Sequence, residues 1–207
     1  LIELIESYDK ISYEDFKDIK YDNSFPTKFN YSFMDISVIE NLTIDPNNDL
    51  FEILDIIQKW DRKTDIDSQG AGVYGILYYQ LVWNYRNQIQ ENNNTVSQEI
   101  LMSALADTEE YLLDNFVSIN INLGDFQKLV RGNKEIPIWG LPDVITAMSS
   151  RPYRDGRYKV TQGESYIGLV RFNEEGPHLE SIISFGNSDD PDSAHYTDQM
   201  DLYSKFK

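Results

Sequence analysis

The runs Tyr166-Ile167-Gly168-Leu169-Val170-Arg171-Phe172 and Leu179-Glu180-Ser181-Ile182-Ile183-Ser184-Phe185 flank Asn173-Glu174-Glu175-Gly176-Pro177. They read as two antiparallel strands joined by a turn, because Asn, Gly and Pro supply the conformations a reversal needs. Ile167, Leu169 and Val170 in the first run and Ile182, Ile183 and Phe185 in the second are nearly continuous apolar cores. That texture predicts burial on both faces and therefore a covering layer. Residues 157–162 form a third strand-like run, and Arg131-Gly132-Asn133 and Asp155-Gly156-Arg157 are turn signals. Everything after Gly124 thus reads as a sheet region.

Upstream the period changes from two to that of a helix. Ser12 followed by Asp15 predicts a capped short helix through Phe16 and Ile19. Residues 21–49 read mostly as loop, punctuated by Pro26 and Pro46, with a brief helix around 32–41. Leu50, Ile53, Leu54, Ile57 and Trp60 then recur at helical spacing behind Asn48-Asp49. Residues 70–90 carry apolar side chains all round, as a central helix does, and Gly70, Gly72 and Gly75 at its start predict the close approach of another backbone. Two more helices are expected, over 97–105 and 108–117, the second capped by Asp107-Thr108. The fold class is therefore α+β, with a mainly helical segment at 1–120 and a mainly β segment with a C-terminal turn or helix at 121–207.

The 207 residues are 41% hydrophobic and 13% aromatic, which excludes wholesale disorder and suffices for a core without staples. Eighteen Lys and Arg against 35 Asp and Glu leave a net charge of −17, which argues against nucleic acid or an anionic membrane surface as partner. With no cysteine there is no disulfide, thiolate metal site or Cys nucleophile. Acids in Leu1-Ile2-Glu3-Leu4-Ile5-Glu6 stand where a signal peptide carries cations, and the chain reads as soluble. Its start at Leu1 rather than Met reads as a piece of something longer.

Few constellations carry chemistry. His195-Tyr196-Thr197-Asp198-Gln199 places an imidazole beside a carboxylate, as a general base requires, but a hydrogen-bonded turn uses the same groups. His178 follows a Gly-Pro turn and should be exposed. Asp61, Asp65 and Asp67 alternate like a calcium loop but lack its glycine and bidentate glutamate, so an ion-pair network around Asp61 and Arg62 is expected. The loop at 187–193 favours turns over cation binding. No phosphate loop, dinucleotide fingerprint or Gly-x-Ser-x-Gly elbow is present.

Several blocks, taken in order, carry a resemblance. Tyr13-Glu14-Asp15-Phe16, Lys20-Tyr21-Asp22, Trp60-Asp61-Arg62 and Asp67-Ser68-Gln69-Gly70-Ala71 come first. Gly124-Asp125-Phe126, Leu129-Val130-Arg131-Gly132, Gly163-Glu164-Ser165-Tyr166, Phe185-Gly186-Asn187-Ser188 and His195-Tyr196-Thr197-Asp198-Gln199 follow. Together they resemble the C-terminal part of the β-chain of penicillin acylases and acyl-homoserine-lactone acylases. The resemblance implies an N-terminal nucleophile hydrolase with an αββα sandwich, made from a self-cleaving zymogen whose freed Ser attacks an amide carbonyl with its own α-amine as base. It implies a periplasmic or secreted parent, an N-acyl substrate such as a β-lactam or an acyl-homoserine lactone, and as partners the α-chain and the upstream part of the β-chain; no cofactor and no metal ligand is assigned to these residues.

The nucleophile itself is missing from these residues. Leu1 has no hydroxyl, and none of the eleven glycines is followed by Ser, Thr or Cys, so no Gly-Ser-type cleavage can create one. No catalytic or substrate-binding residue is therefore assigned, and the chain alone is expected to be inactive. Asp61, Arg62, Arg131, Gly132, His195, Tyr196 and Asp198 are expected to be fold-defining contacts. Left uncovered, the apolar strands should drive self-association. A competing reading is a non-catalytic module whose acidic surface and 14 tyrosines bind a cationic or carbohydrate ligand. Another makes His195 and Asp198 a free-standing hydrolytic site with Ser188 or Ser193.

Overall fold

The computed structural model describes residues 2–26, 29–31 and 34–205. The helical half runs through α1 (Ile2–Glu6), α2 (Tyr13–Lys20), α3 (Val38–Asn41), α4 (Phe51–Gln58), α5 (Gln69–Asn84), α6 (Arg86–Glu91), α7 (Gln98–Phe116) and α8 (Leu123–Phe126). A small antiparallel pair, β1 (Asn30–Tyr31) with β2 (Met34–Asp35), is inserted before α3. Next come β3 (Gln127–Arg131), β4 (Lys134–Pro137), β5 (Met148–Arg154) and β6 (Arg157–Gly163), which form one sheet in the order β4-β3-β6-β5. Only β3 and β6 pair in parallel in it. A separate hairpin, β7 (Tyr166–Asn173) with β8 (Gly176–Ile183), and the short α9 (Met200–Tyr203) complete an α+β fold.

Most local signals in the sequence act as their chemistry demands. Ser12 caps α2 in a reciprocal box: its Oγ accepts from the Asp15 amide at 3.1 Å, and the Asp15 carboxylate accepts from the Ser12 amide at 2.8 Å. The glycines of α5 permit the predicted close approach, since a Cβ on Gly72 would collide with the Ile121 carbonyl and one on Gly75 would meet the Phe126 ring at 2.7 Å. Tyr74 sits beside them, stacked on Trp60 at 5.1 Å and edge-on to Phe25 at 5.3 Å.

Four expectations need correction. The helices expected at 97–105 and 108–117 are one continuous α7. Thr108 does not cap a helix: it is buried in the interior of α7 and its hydroxyl donates back to the Ala104 carbonyl at 2.6 Å, while Asp107 accepts from the Tyr85 hydroxyl at 2.8 Å. The single helix expected over 70–90 is broken at Tyr85 into α5 and α6. The brief helix around 32–41 shrinks to α3, because Met34 and Asp35 pair as β2; Ser32 and Phe33 lie outside the described residues. The last correction concerns the β7–β8 hairpin, which is not covered on both faces. Ile167 and Leu169 are buried, but Tyr166, Val170, Leu179 and Phe172 face outward, Phe172 at 78% exposure. The inner face is pinned to α2, where Tyr13 and Lys17 hold Glu180 at 2.9 and 2.8 Å and the Arg171 guanidinium lies over the Tyr13 ring.

A buried polar chain joins helices to sheet. The Ser150 amide donates to the Tyr79 hydroxyl at 2.7 Å, the Ser150 hydroxyl donates to Gln127 Oε1 at 2.8 Å, and Gln127 Nε2 donates to the Gly140 carbonyl at 2.6 Å. Tyr79 also packs on Tyr158 at 5.1 Å, so the first strand region and the helical core share one apolar cluster. Burial pushes the Tyr79 hydroxyl up to about 12. Tyr85 is likewise at about 12, through burial and then its bond to Asp107, and burial raises Tyr158 and Tyr203 as well. Unfolded tyrosines ionise near 10, so above that pH the folded state retains protons the unfolded state releases. Stability should hold below pH ~10 and fall progressively from there through pH ~12. Urea midpoints measured from pH 8 to pH 12 would show this, and a flat profile above pH 10 would contradict it.

Candidate functional site

The sequence-nominated groups gather in two places. In the first, residues 185–201 fold across the β3–β4 hairpin. Arg131, at the end of β3, donates from Nη2 to the Ser188 carbonyl at 2.8 Å and to Asp189 Oδ1 at 2.9 Å. Its guanidinium lies 4.4 Å from the Tyr196 ring centroid and 5.1 Å from that of Phe185. Gly132 turns the hairpin with φ +57°, and a Cβ there would stand 2.9 Å from the Tyr196 ring. Gly186 passes so near the His195 carbonyl that no side chain fits. Gln199 closes the loop, donating from its amide to the Phe185 carbonyl at 2.9 Å and accepting from the Ile183 amide at 3.1 Å. Lys134 adds a bond to Asp201 at 2.6 Å.

His195 and Asp198 do pair, Nδ1 to Oδ2 at 2.8 Å. The arrangement nevertheless lacks the parts of a hydrolytic triad. The imidazole is 72% exposed, where water competes for it. Among the described residues neither serine bonds to it: the Ser193 hydroxyl accepts from the His195 backbone amide at 3.1 Å, and the Ser188 hydroxyl from the Asp190 amide at 3.2 Å. Both hydroxyls close local turns. The acids of this loop do the same, Asp190 accepting from the Asp192 amide at 3.0 Å.

The second place is the junction before α5. Asp61 accepts from the Lys63 amide at 3.0 Å, and Asp65 accepts from the Asn23 side chain at 2.7 Å. Arg62, in left-handed backbone with φ 69°, reaches Glu40 at 3.6 Å and stacks on the Phe29 ring at 3.3 Å. Ser68 caps α5 and its carbonyl accepts from the Leu123 amide at 3.0 Å. These carboxylates fix turns, and among the described residues no group of three or more acids or histidines is arranged to hold a metal ion. His178 lies exposed on β8, 3.2 Å from Asn173 Oδ1. Tyr74, Tyr78, Tyr79, Tyr158 and Tyr203 are buried packing residues rather than a ligand platform. Lys134 and Asp201 escaped the sequence reading, since two opposite charges 67 residues apart leave no local signal.

What these contacts build is a set of locked turns. Residues 1–207 match the Penicillin amidase family, and the chain belongs to it. It is 31% identical over 168 residues to the acyl-homoserine lactone acylase PvdQ of Pseudomonas fluorescens Pf-5, and 29% identical over 172 residues to that of Pseudomonas savastanoi pv. phaseolicola 1448A. Each alignment covers 72% of this chain but only 22% and 21% of the relative, so the chain spans about a fifth of the length of these proteins. Helices first and antiparallel-rich strands after are consistent with the N-terminal nucleophile hydrolase class.

Arg131 should matter to folding and His195 should not. Arg131→Ala removes a charged donor from a carbonyl and a cation from two rings, and is expected to cost about 2–3 kcal/mol. His195→Ala, at an exposed pair, is expected to stay within about 1 kcal/mol of the parent. Urea unfolding of both variants checks the order, and reversal of the two would overturn it.

Proposed function

We propose that residues 1–207 are the C-terminal structural portion of an amide hydrolase that removes an acyl group from an N-acyl substrate, with the attacking Ser on polypeptide upstream. The class of substrate, β-lactam or acyl-homoserine lactone, follows the family and the names of its relatives. The observation that carries the proposal is the family match over the whole chain, in a structure where, among the described residues, no serine hydroxyl bonds to the imidazole of the His195–Asp198 pair. A periplasmic or secreted parent is part of the same reading.

On this reading the chain's partner is the rest of the acylase. The hairpin offers it a surface: the register sets Tyr166 opposite Ile183, Val170 opposite Leu179 and Phe172 opposite Pro177 on one face, and that face is free of charge. Neighbouring strands or helices of the parent would cover it. Burying such side chains contributes about 1.5–3 kcal/mol each.

Two experiments test the proposal. Amide hydrolysis of N-acyl substrates is expected from the parent enzyme and absent from residues 1–207 alone; turnover by the chain that disappears in His195→Ala would sink it. In sedimentation velocity the isolated chain is expected to self-associate through the hairpin, and Val170→Lys with Leu179→Lys to return it to monomer. Residues 1–207 sedimenting alone as a clean monomer would argue against an exposed docking face.

A further inference from the structure

Register alone sets a row of cations across the sheet of β3 to β6. Arg151 on β5 stands opposite Lys159 on β6, and Lys159 stands opposite Lys128 on β3. Directly opposed side chains share a face, with Cβ atoms about 5 Å apart, and like charges so placed destabilise the pair. Past the bulge in β5, Arg154 pairs with Arg157 on the same face. The opposite face carries Tyr158, buried against Tyr79 and Phe126 of the helical half, so the cations stand on the face away from that core.

This face reverses the balance of the chain, in which acids outnumber bases 35 to 18. Its acids are already committed. Glu135 takes both Arg154, at 2.7 Å, and Arg157; Asp155 takes Arg157 at 3.0 Å; and Asp125, near Lys128, closes the cap of α8. Lys128 donates to the Gly124 carbonyl at 2.5 Å, and burial first and Arg157 next push its ammonium down. Arg151 and Lys159 remain, one exposed and the other half-buried, and among the described residues neither has an ion pair. Tyr153, 40% exposed, completes the patch, with the Lys159 ammonium 6.0 Å from its ring centroid.

A carboxylate set between two opposed cations turns their repulsion into two charge-assisted bonds. Arginine and tyrosine are also the side chains that protein interfaces concentrate. A nucleic acid or an anionic membrane would bring many charges against a chain of net charge −17, whereas an acidic peptide segment brings only a few.

We propose that this face docks an acidic segment of the parent acylase's upstream polypeptide, with a carboxylate of that segment between Arg151 and Lys159. The inference rests on the acylase reading above and deepens it. The chain spans about a fifth of the length of its relatives, so on that reading most of the polypeptide able to cover the sheet lies outside residues 1–207, held close at high effective concentration. The uncharged hairpin face then takes an apolar cover and this face a charged one, and the two together fix orientation.

Carbodiimide coupling of the intact parent enzyme tests it, because this zero-length reagent joins an ammonium to a carboxylate it touches and mass spectrometry reads both ends. Lys159 is expected to be joined to an Asp or Glu of the upstream polypeptide. Arg151→Glu should lower that yield about tenfold, since the new carboxylate repels the incoming one. The substituted glutamate pairs with Lys159 across the strands, so the sheet itself is not threatened. Changing the carboxylate so identified to Lys in the Arg151→Glu background should restore the parent's unfolding midpoint. Lys159 joined only to acids within residues 1–207, joined to a second copy with a yield that rises with protein concentration, left unjoined while other lysines react, or joined equally in Arg151→Glu would each overturn the proposal. A parent that hydrolyses N-acyl substrates without this crosslink sinks the docking alone; one that carries the crosslink without hydrolysis sinks the acylase reading alone.

Discussion

The buried chain from Tyr79 through Ser150 and Gln127 to the Gly140 carbonyl is the constraint on which the rest of the arrangement depends. Its polar groups are out of water, so each must find its partner inside or forfeit about 1–3 kcal/mol. Only one relative placement of α5, β3, β5 and the Gly140 turn satisfies them together. Apolar packing of Tyr79 on Tyr158 and of Phe126 on Tyr158 would tolerate sliding; the hydrogen bonds do not. Once that placement is fixed, β3 ends where Arg131 can reach over residues 185–196, and the second cluster has a foundation.

What was legible in the sequence is local. A capping Ser with Asp three residues on, glycines on a helix face, and Asp-Gly or Gly-Asn at a reversal each express a physical need satisfied within a few residues, and each appears where it was read. Thr108 shows how a local sign misleads: the same hydroxyl that can cap a helix can bond to the carbonyl four residues back, and burial within α7 decides for the second. The strands β3 to β5 were visible only through their turns, because their burial alternates too briefly to outweigh loop chemistry.

The functional clusters were half legible for the same reason. His195 and Asp198 are three residues apart, and their pairing could be read; Arg131 and Ser188 are 57 apart, and theirs could not. Spacing reveals which groups can meet along one element. It does not reveal which distant element will close on them.

The hairpin presents the sharpest conflict between chain and solvent. Its inner face is satisfied three ways, by burial of Ile167 and Leu169, by Glu180 on Tyr13 and Lys17, and by Arg171 over Tyr13. Its outer face combines Tyr166, Val170, Phe172, Leu179 and Pro177 with no charge, in a chain where 26% of residues are charged. Proteins that keep a sheet surface in water interrupt it with lysine, charge or a bulge, because unpaired edges beside apolar side chains template further pairing. On the outer face no lysine, other charge or bulge interrupts the register of β7 and β8; the charges of the pair, Arg171 and Glu180, lie on the inner face. In the structure only the face against α2 is buried, and the near-continuous apolar runs at 167–170 and 182–185 exceed what that one face needs; on the function proposed above, polypeptide of the parent acylase would take the other.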